Sequence, residues 1–169
     1  MGGNVVLELA ARRPDLASAV VLLDAPVFPA AGLIEAMKAV APKFRGPNYR
    51  DAACEFVSGV FLPTDDPVRR SGILDKVSQC PQHVLSSAWE EANIGYDASA
   101  AAAGCHMPVC YIGAAAPLAD VSRFKKLRPQ LVIGQTVGAG HFHQLEVPDQ
   151  INAMVERFLF TAFARTSTA

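Results

Sequence analysis

Three short apolar runs stand out from a chain that otherwise reads as helical. The first is Ala19-Val20-Val21-Leu22-Leu23, closed by Asp24. It shows no polar alternation, which is the pattern of a parallel strand covered on both faces. The second is Met107 to Gly113, with Pro108 at its start, where a strand tolerates proline. The third opens at Leu131-Val132-Ile133 and predicts a strand over 131–137. Between the first two runs, residues 27–105 hold no good strand. Helical patterns recur there around 31–41, 50–61, 67–79 and 82–94, broken at Pro42, Gly46-Pro47, Pro63 and Pro81. The alanine-rich stretch from Asp97 to Ala103 predicts a further helix.

Helices are also predicted over Val5–Arg13, ended by Pro14-Asp15, and over Leu118–Leu127. A terminal helix has Pro148 in its first turn, a favoured position. Its Ile151, Met154, Val155, Phe158 and Leu159 fall at i, i+3, i+4, i+7 and i+8, one apolar stripe that should face a sheet. The tail from Ala164 to Ala169 is small and polar and is expected to fray. Strand, helix, strand, helix, strand with right-handed crossovers makes a small parallel sheet of the α/β class. Residues 19–23 would be an edge strand of that sheet, and a bare apolar edge is a liability.

Composition narrows the function. With 169 residues, 51% of them hydrophobic and 18% charged, the chain can bury a single-domain core and is not a disordered segment. A net charge of −1 favours neither nucleic acid nor an anionic membrane surface as a partner. No stretch reaches the ~20 uninterrupted apolar residues of a membrane span. The start has no signal-like pattern, so the expected location is cytoplasmic. Cys54, Cys80, Cys105 and Cys110 match no zinc spacing and read as reduced thiols. No metal or cofactor is expected.

Two local patterns carry chemistry. Met1-Gly2-Gly3-Asn4 followed by an apolar helix matches the back half of the G-x-S-x-G turn that presents a nucleophilic serine. Gly138-Ala139-Gly140-His141-Phe142 after the third strand is a glycine-flanked histidine turn. Leu145-Glu146-Val147-Pro148-Asp149-Gln150 then opens the terminal helix. In this order the segments resemble the C-terminal portion of an α/β-hydrolase of the cap-bearing, esterase-like kind, and the likeness spans nearly the whole chain. The resemblance implies a partial α/β-hydrolase fold with about three parallel strands. Residues 1–26 and 106–169 would form core and 27–105 an inserted helical cap.

The resemblance also implies roles. His141 would be the general base and later the general acid. His143 would line the cap–core cleft, His106 would be structural, and His83 would sit in the cap. The acid that orients the histidine usually follows the penultimate strand as Gly-x-x-Asp. Here the run is Gly113-Ala114-Ala115-Ala116, so an alanine stands at that position. Asp24, which ends the preceding strand as in certain haloalkane dehalogenases, and Asp120, at a helix start, are the alternatives, together with no acid at all. Met1 would donate its backbone nitrogen to the oxyanion hole. The serine itself would precede Met1. Ser58, Ser86, Ser87 and Cys110 lack an elbow and make poor substitutes.

Two readings follow. One is a serine-type hydrolase of a small ester or related carbonyl compound, with this chain inactive alone. The other is a non-catalytic truncated fragment that binds or complements, with self-association through the exposed sheet edge.

Overall fold

The structure is a computed structural model and describes residues 1–164. Three strands form one parallel sheet in the order β1 (Val20–Leu23), β2 (Val109–Gly113), β3 (Val132–Gln135). Val20 pairs with Val109 and Leu23 with Ile112, while Cys110 pairs with Val132 and Gly113 with Gln135. Among the described residues β1 is thus an edge strand, as the sequence predicts, and β3 is the other edge. The middle strand β2 is buried at every position, which explains its unbroken apolar run. Strand β3 is the least sheltered of the three, and its Val132 and Ile133 are exposed.

Helix α1 (Gly2–Arg12) precedes β1 and starts three residues before the expected Val5. Gly3 makes this possible. A Cβ there would fall 2.5 Å from the Ala25 side chain and 2.9 Å from that of Val27. The first turn of α1 therefore lies directly on the chain leaving β1. Five helices follow: α2 (Ala31–Phe44), α3 (Tyr49–Ser58), α4 (Pro67–Ser78), α5 (Gln82–Ser87) and α6 (Ser99–Gly104). Pro42 does not break α2 as expected but sits in its last turn. Helix α5 runs into a π-helical stretch, Ala88–Ile94. Asn4 Nδ2 donates to the Ala92 carbonyl of this stretch at 2.8 Å, tying it to α1.

The remaining elements are α7 (Val121–Leu127), α8 (His143–Glu146) and α9 (Pro148–Ala164). Ala164 is still helical, and the expected fraying from 165 onward lies outside the described residues. The α9 stripe packs on one sheet face: Ile151 and Phe158, supported by Met154, Val155 and Leu159, meet Cys110 and Ile112. Burial pushes the Cys110 thiol up to about 11, so it stays protonated. The opposite face of the sheet meets α1, α6 and α7 through Leu7, Ala101, Tyr111 and Phe124. A separate small core of Val40, Phe44, Ala52 and Ala53, with Trp89 and Phe56 against it, holds the middle helices together. Val27, Phe28, Ala98, Ala102 and Cys105 belong instead to the sheet-side core.

The loop between α3 and α4 clamps the glycine-histidine turn. Asp65, 5% exposed, accepts from Leu62 N at 2.8 Å through one oxygen and from Gly140 N at 3.1 Å through the other. His141 N donates to the Val60 carbonyl at 2.9 Å. Phe61 stacks on Phe142 with ring centroids 5.2 Å apart. Arg69 pairs with Glu146 of α8 at 2.7 Å. Gly140 has no room for a side chain: a Cβ would lie 2.5 Å from Asp65 Oδ2 and 2.7 Å from the Val60 carbonyl oxygen. Gly140→Ala should therefore lower stability by about 1–3 kcal/mol through overpacking. Gly32→Ala, in open space on α2, should instead gain about 0.4–1 kcal/mol. Urea midpoints of the two variants check this, and an unchanged midpoint for Gly140→Ala would show that the clamp yields freely.

Candidate active site

The C-terminal ends of β1, β2 and β3 converge on one carboxylate. Asp24 follows β1 with its backbone N–H still donating to the Ile112 carbonyl at 2.7 Å, so the sheet ladder reaches it. Its φ of 45° then turns the chain sharply. A non-glycine residue in this region is uncommon and carries strain of order 1–3 kcal/mol, tolerated best by Asp and Asn. The strain throws the side chain inward, where it is fully buried.

A buried carboxylate must be hydrogen-bonded. Oδ1 of Asp24 accepts from Tyr111 Oη at 3.1 Å and from the backbone N–H groups of Ala114 and Leu118, each at 3.2 Å. Oδ2 lies 2.9 Å from His141 Nδ1. Tyr111 is held far above the ordinary tyrosine range, first by burial and then by the Asp24 charge and hydrogen bond, so it remains a donor. The loop 114–118 occupies the place where the sequence lacks an acid at Ala116. It supplies donors to Asp24 instead of a carboxylate. This loop is fixed in turn by a short antiparallel contact: Ala30 N donates to the Leu118 carbonyl and Asp120 N to that of Phe28.

His141 stands on the clamped turn, which Gly138 enters with φ 76°. Its side chain is 28% exposed. With Nδ1 turned to the carboxylate, Nδ1 carries the proton and Nε2 is left as an acceptor. Nε2 has no hydrogen-bond partner among the described residues. This is the arrangement of a general base.

The other candidates are placed differently. Asp120 does not meet His141. It caps α7, its Oδ1 accepting from Arg123 N at 2.9 Å. Met1 is half exposed, and its carbonyl accepts from Asn4 and Val5 as α1 begins. Its amine is partly withdrawn from water, which lowers the ammonium's pKa. Ser86 and Ser87 bond to carbonyls of their own helix, those of His83 and Val84. His83 and His106 are exposed.

His143 departs from the expectation that it lines a cleft. It is fully buried, with Nδ1 2.9 Å from Thr136 Oγ1, which also reaches the Gly113 carbonyl. If Thr136 donates to Gly113, His143 Nδ1–H donates to Thr136, and the ring is neutral with Nε2 buried and unpartnered. Burial lowers the His143 pKa, an effect opposed by the charge of Asp24. Sequence reasoning missed this pair and also missed Asp65 and Tyr111.

The lowered His143 pKa has a pH consequence. A histidine kept neutral in the fold contributes stability above its unfolded pKa of about 6.5 and loses it as pH falls below that value. Stability should therefore decline over the range below about pH 6.5 in the native chain and decline less in His143→Gln. Denaturant midpoints across this range test it; equal slopes in the two proteins would remove His143 as the cause.

Family models and curated protein sequences give no match to the chain. Solved structures do. It is similar to the enol-lactonase from Burkholderia xenovorans LB400, with a TM-score of 0.73 and 21% identity over 94% of this chain and 62% of that one. It is similar to a thermophilic esterase from Thermogutta terrifontis, with a TM-score of 0.68 and 19% identity over 95% of this chain and 62% of the esterase. An alpha/beta hydrolase enzyme from a Medee basin deep-sea metagenome library aligns with a TM-score of 0.66 and 14% identity, covering 94% and 62%. The chain thus spans about 62% of the length of these structures. Three parallel strands, their flanking helices and this alignment identify the described residues as part of an α/β-hydrolase fold.

Proposed function

We propose that the chain provides the histidine and carboxylate of a serine-type hydrolase acting on a small ester or related carbonyl compound. The observation that carries this reading is the Asp24 Oδ2 to His141 Nδ1 contact of 2.9 Å, made by a fully buried acid to a partly exposed ring. Asp24 fixes the tautomer and stabilises the imidazolium that forms during proton transfer. Nε2 of His141 takes a proton from a serine hydroxyl as it attacks the carbonyl carbon, and later returns a proton to the leaving alcohol. A water activated by the same nitrogen then cleaves the acyl-enzyme. The reaction calls on no metal or cofactor.

The serine belongs on the turn that leads into α1. Gly3 packs on Ala25, the residue after Asp24, so this turn opens beside the acid. A Gly-x-Ser run ahead of Met1 would place the nucleophile there, with Met1 N as one oxyanion donor. Helices α2 to α5 act as a cap over the strand ends, and their α3–α4 loop holds the histidine turn. The residues of this chain do not supply an elbow serine, so it is inactive by itself and complements a segment that does.

Two measurements test the reading. The chain alone should neither react with a fluorophosphonate probe nor hydrolyse a short p-nitrophenyl ester. Stoichiometric labelling of one serine, with turnover lost in His141→Ala, would place a nucleophile within these residues and overturn the complementing role. In a polypeptide with a Gly-x-Ser run joined ahead of Met1, Asp24→Asn should lower kcat on the order of 10⁴-fold. Asp120→Ala should leave kcat near normal while costing about 0.5–2 kcal/mol of stability as a lost helix cap. The reverse pattern would reassign the acid.

A further inference from the structure

A cleft lies at the opposite ends of the strands from Asp24 and His141. It measures about 550 Å³ and opens where α6, β2 and β3 meet the ends of α7 and α9. None of its lining residues is acidic, and one is a buried cation. Arg128 is 8% exposed. Its Nη1 donates to the carbonyls of Ala102 and Cys105, and its Nη2 donates to that of Met107 at 2.6 Å. These contacts close the C-terminal end of α6 with a cation, as helix ends favour. They leave the charge without an acid among the described residues, and Nε is buried without any acceptor.

A buried guanidinium that meets only neutral carbonyls keeps most of its desolvation cost. The edge formed by Nε–H and the remaining Nη2–H is the fork that matches a carboxylate. The rest of the cleft is mixed: Met107, Val132 and Phe158 form an apolar wall, Gln130 and Thr161 add polar groups, and His106 stands at its exposed rim. We propose that this cleft binds a small organic carboxylate with an apolar body. The anion pairs with Arg128 after a slight turn of the guanidinium toward the cleft, and the body lies against Met107, Val132 and Phe158. The site does not depend on the hydrolase reading and shares no residue with it.

Octanoate, 1-octanol and inorganic phosphate are suitable probes, titrated into the isotopically labelled chain and followed by amide chemical shifts. Octanoate should bind saturably, with shifts at residues 103–108 and 158–162, and at least tenfold more tightly than octanol or phosphate. Arg128→Gln should weaken octanoate at least tenfold. Ala103→Trp, at an exposed lining position, should do the same by filling the cleft, and it decides the matter where Arg128→Gln fails to fold. Octanol binding as tightly as octanoate would remove the charge from recognition. Phosphate binding as tightly would remove the apolar body. Undiminished octanoate binding in Ala103→Trp, or no saturation at all, would overturn the site.

Discussion

A single buried carboxylate organises the strand ends. Asp24 has no contact with water, so its charge is tolerable only because every part of it is met by a donor. Those donors come from three places: the middle strand through Tyr111, the loop after it through Ala114 and Leu118, and the turn after the third strand through His141. Each partner is thereby drawn toward one point. Removing the carboxylate would orphan a buried tyrosine hydroxyl and two backbone N–H groups, each costing about 1–3 kcal/mol, before any chemistry is considered. The left-handed backbone at Asp24 persists because this network over-determines it.

The second constraint acts on the histidine rather than the acid. A glycine-rich turn is pliable by composition, and a pliable base would be poorly aimed. Asp65 and the Val60 carbonyl remove that freedom by binding the N–H groups of Gly140 and His141. The α3–α4 loop, which lies between β1 and β2 in the chain, thus holds the turn that carries the ring. His143 adds a buried support beneath, anchored on Thr136 and through it on Gly113 at the end of β2. In the proposed reading His141 is a base whose aim matters, and supports on both sides serve that aim.

Much of this was legible in the sequence where the signal is local. The three strands, the α9 stripe and the helical stretch between β1 and β2 follow from periodicity, and the structure reproduces them within a few residues. His141 stands out because glycines flank it. Asp24 could be singled out but not preferred decisively, since its advantage over Asp120 lies in contacts with residues 87 to 117 positions away. Asp65 and Tyr111 gave no signal for the same reason: an acid in a loop and a tyrosine in a strand look ordinary until the fold brings their partners. His143 was misplaced because a histidine two residues from another reads as part of the same cleft. One turn of helix carries it inward instead. Pro42 misled through a rule that holds for helix interiors and is relaxed near helix ends.

The distribution of apolar surface couples stability to the proposed chemistry. Leu7 and Ala10 of α1 are buried against the sheet, yet Val5, Val6 and Leu9 on its other side are exposed. Val5, Val6 and Leu9 thus form an apolar strip on the outer side of α1. Strand β1, beside it, offers an edge that a further strand could extend. The matched structures are longer than this chain by the share it does not span. In the proposed reading, the segment that brings the serine also covers the outer face of α1 and pairs with β1. Each of these half-exposed aliphatic side chains that it buries contributes on the order of 1 kcal/mol. A segment that binds only the folded form stabilises it by mass action. Completing the nucleophile turn and completing the core are then one event, because both depend on the same surface of α1.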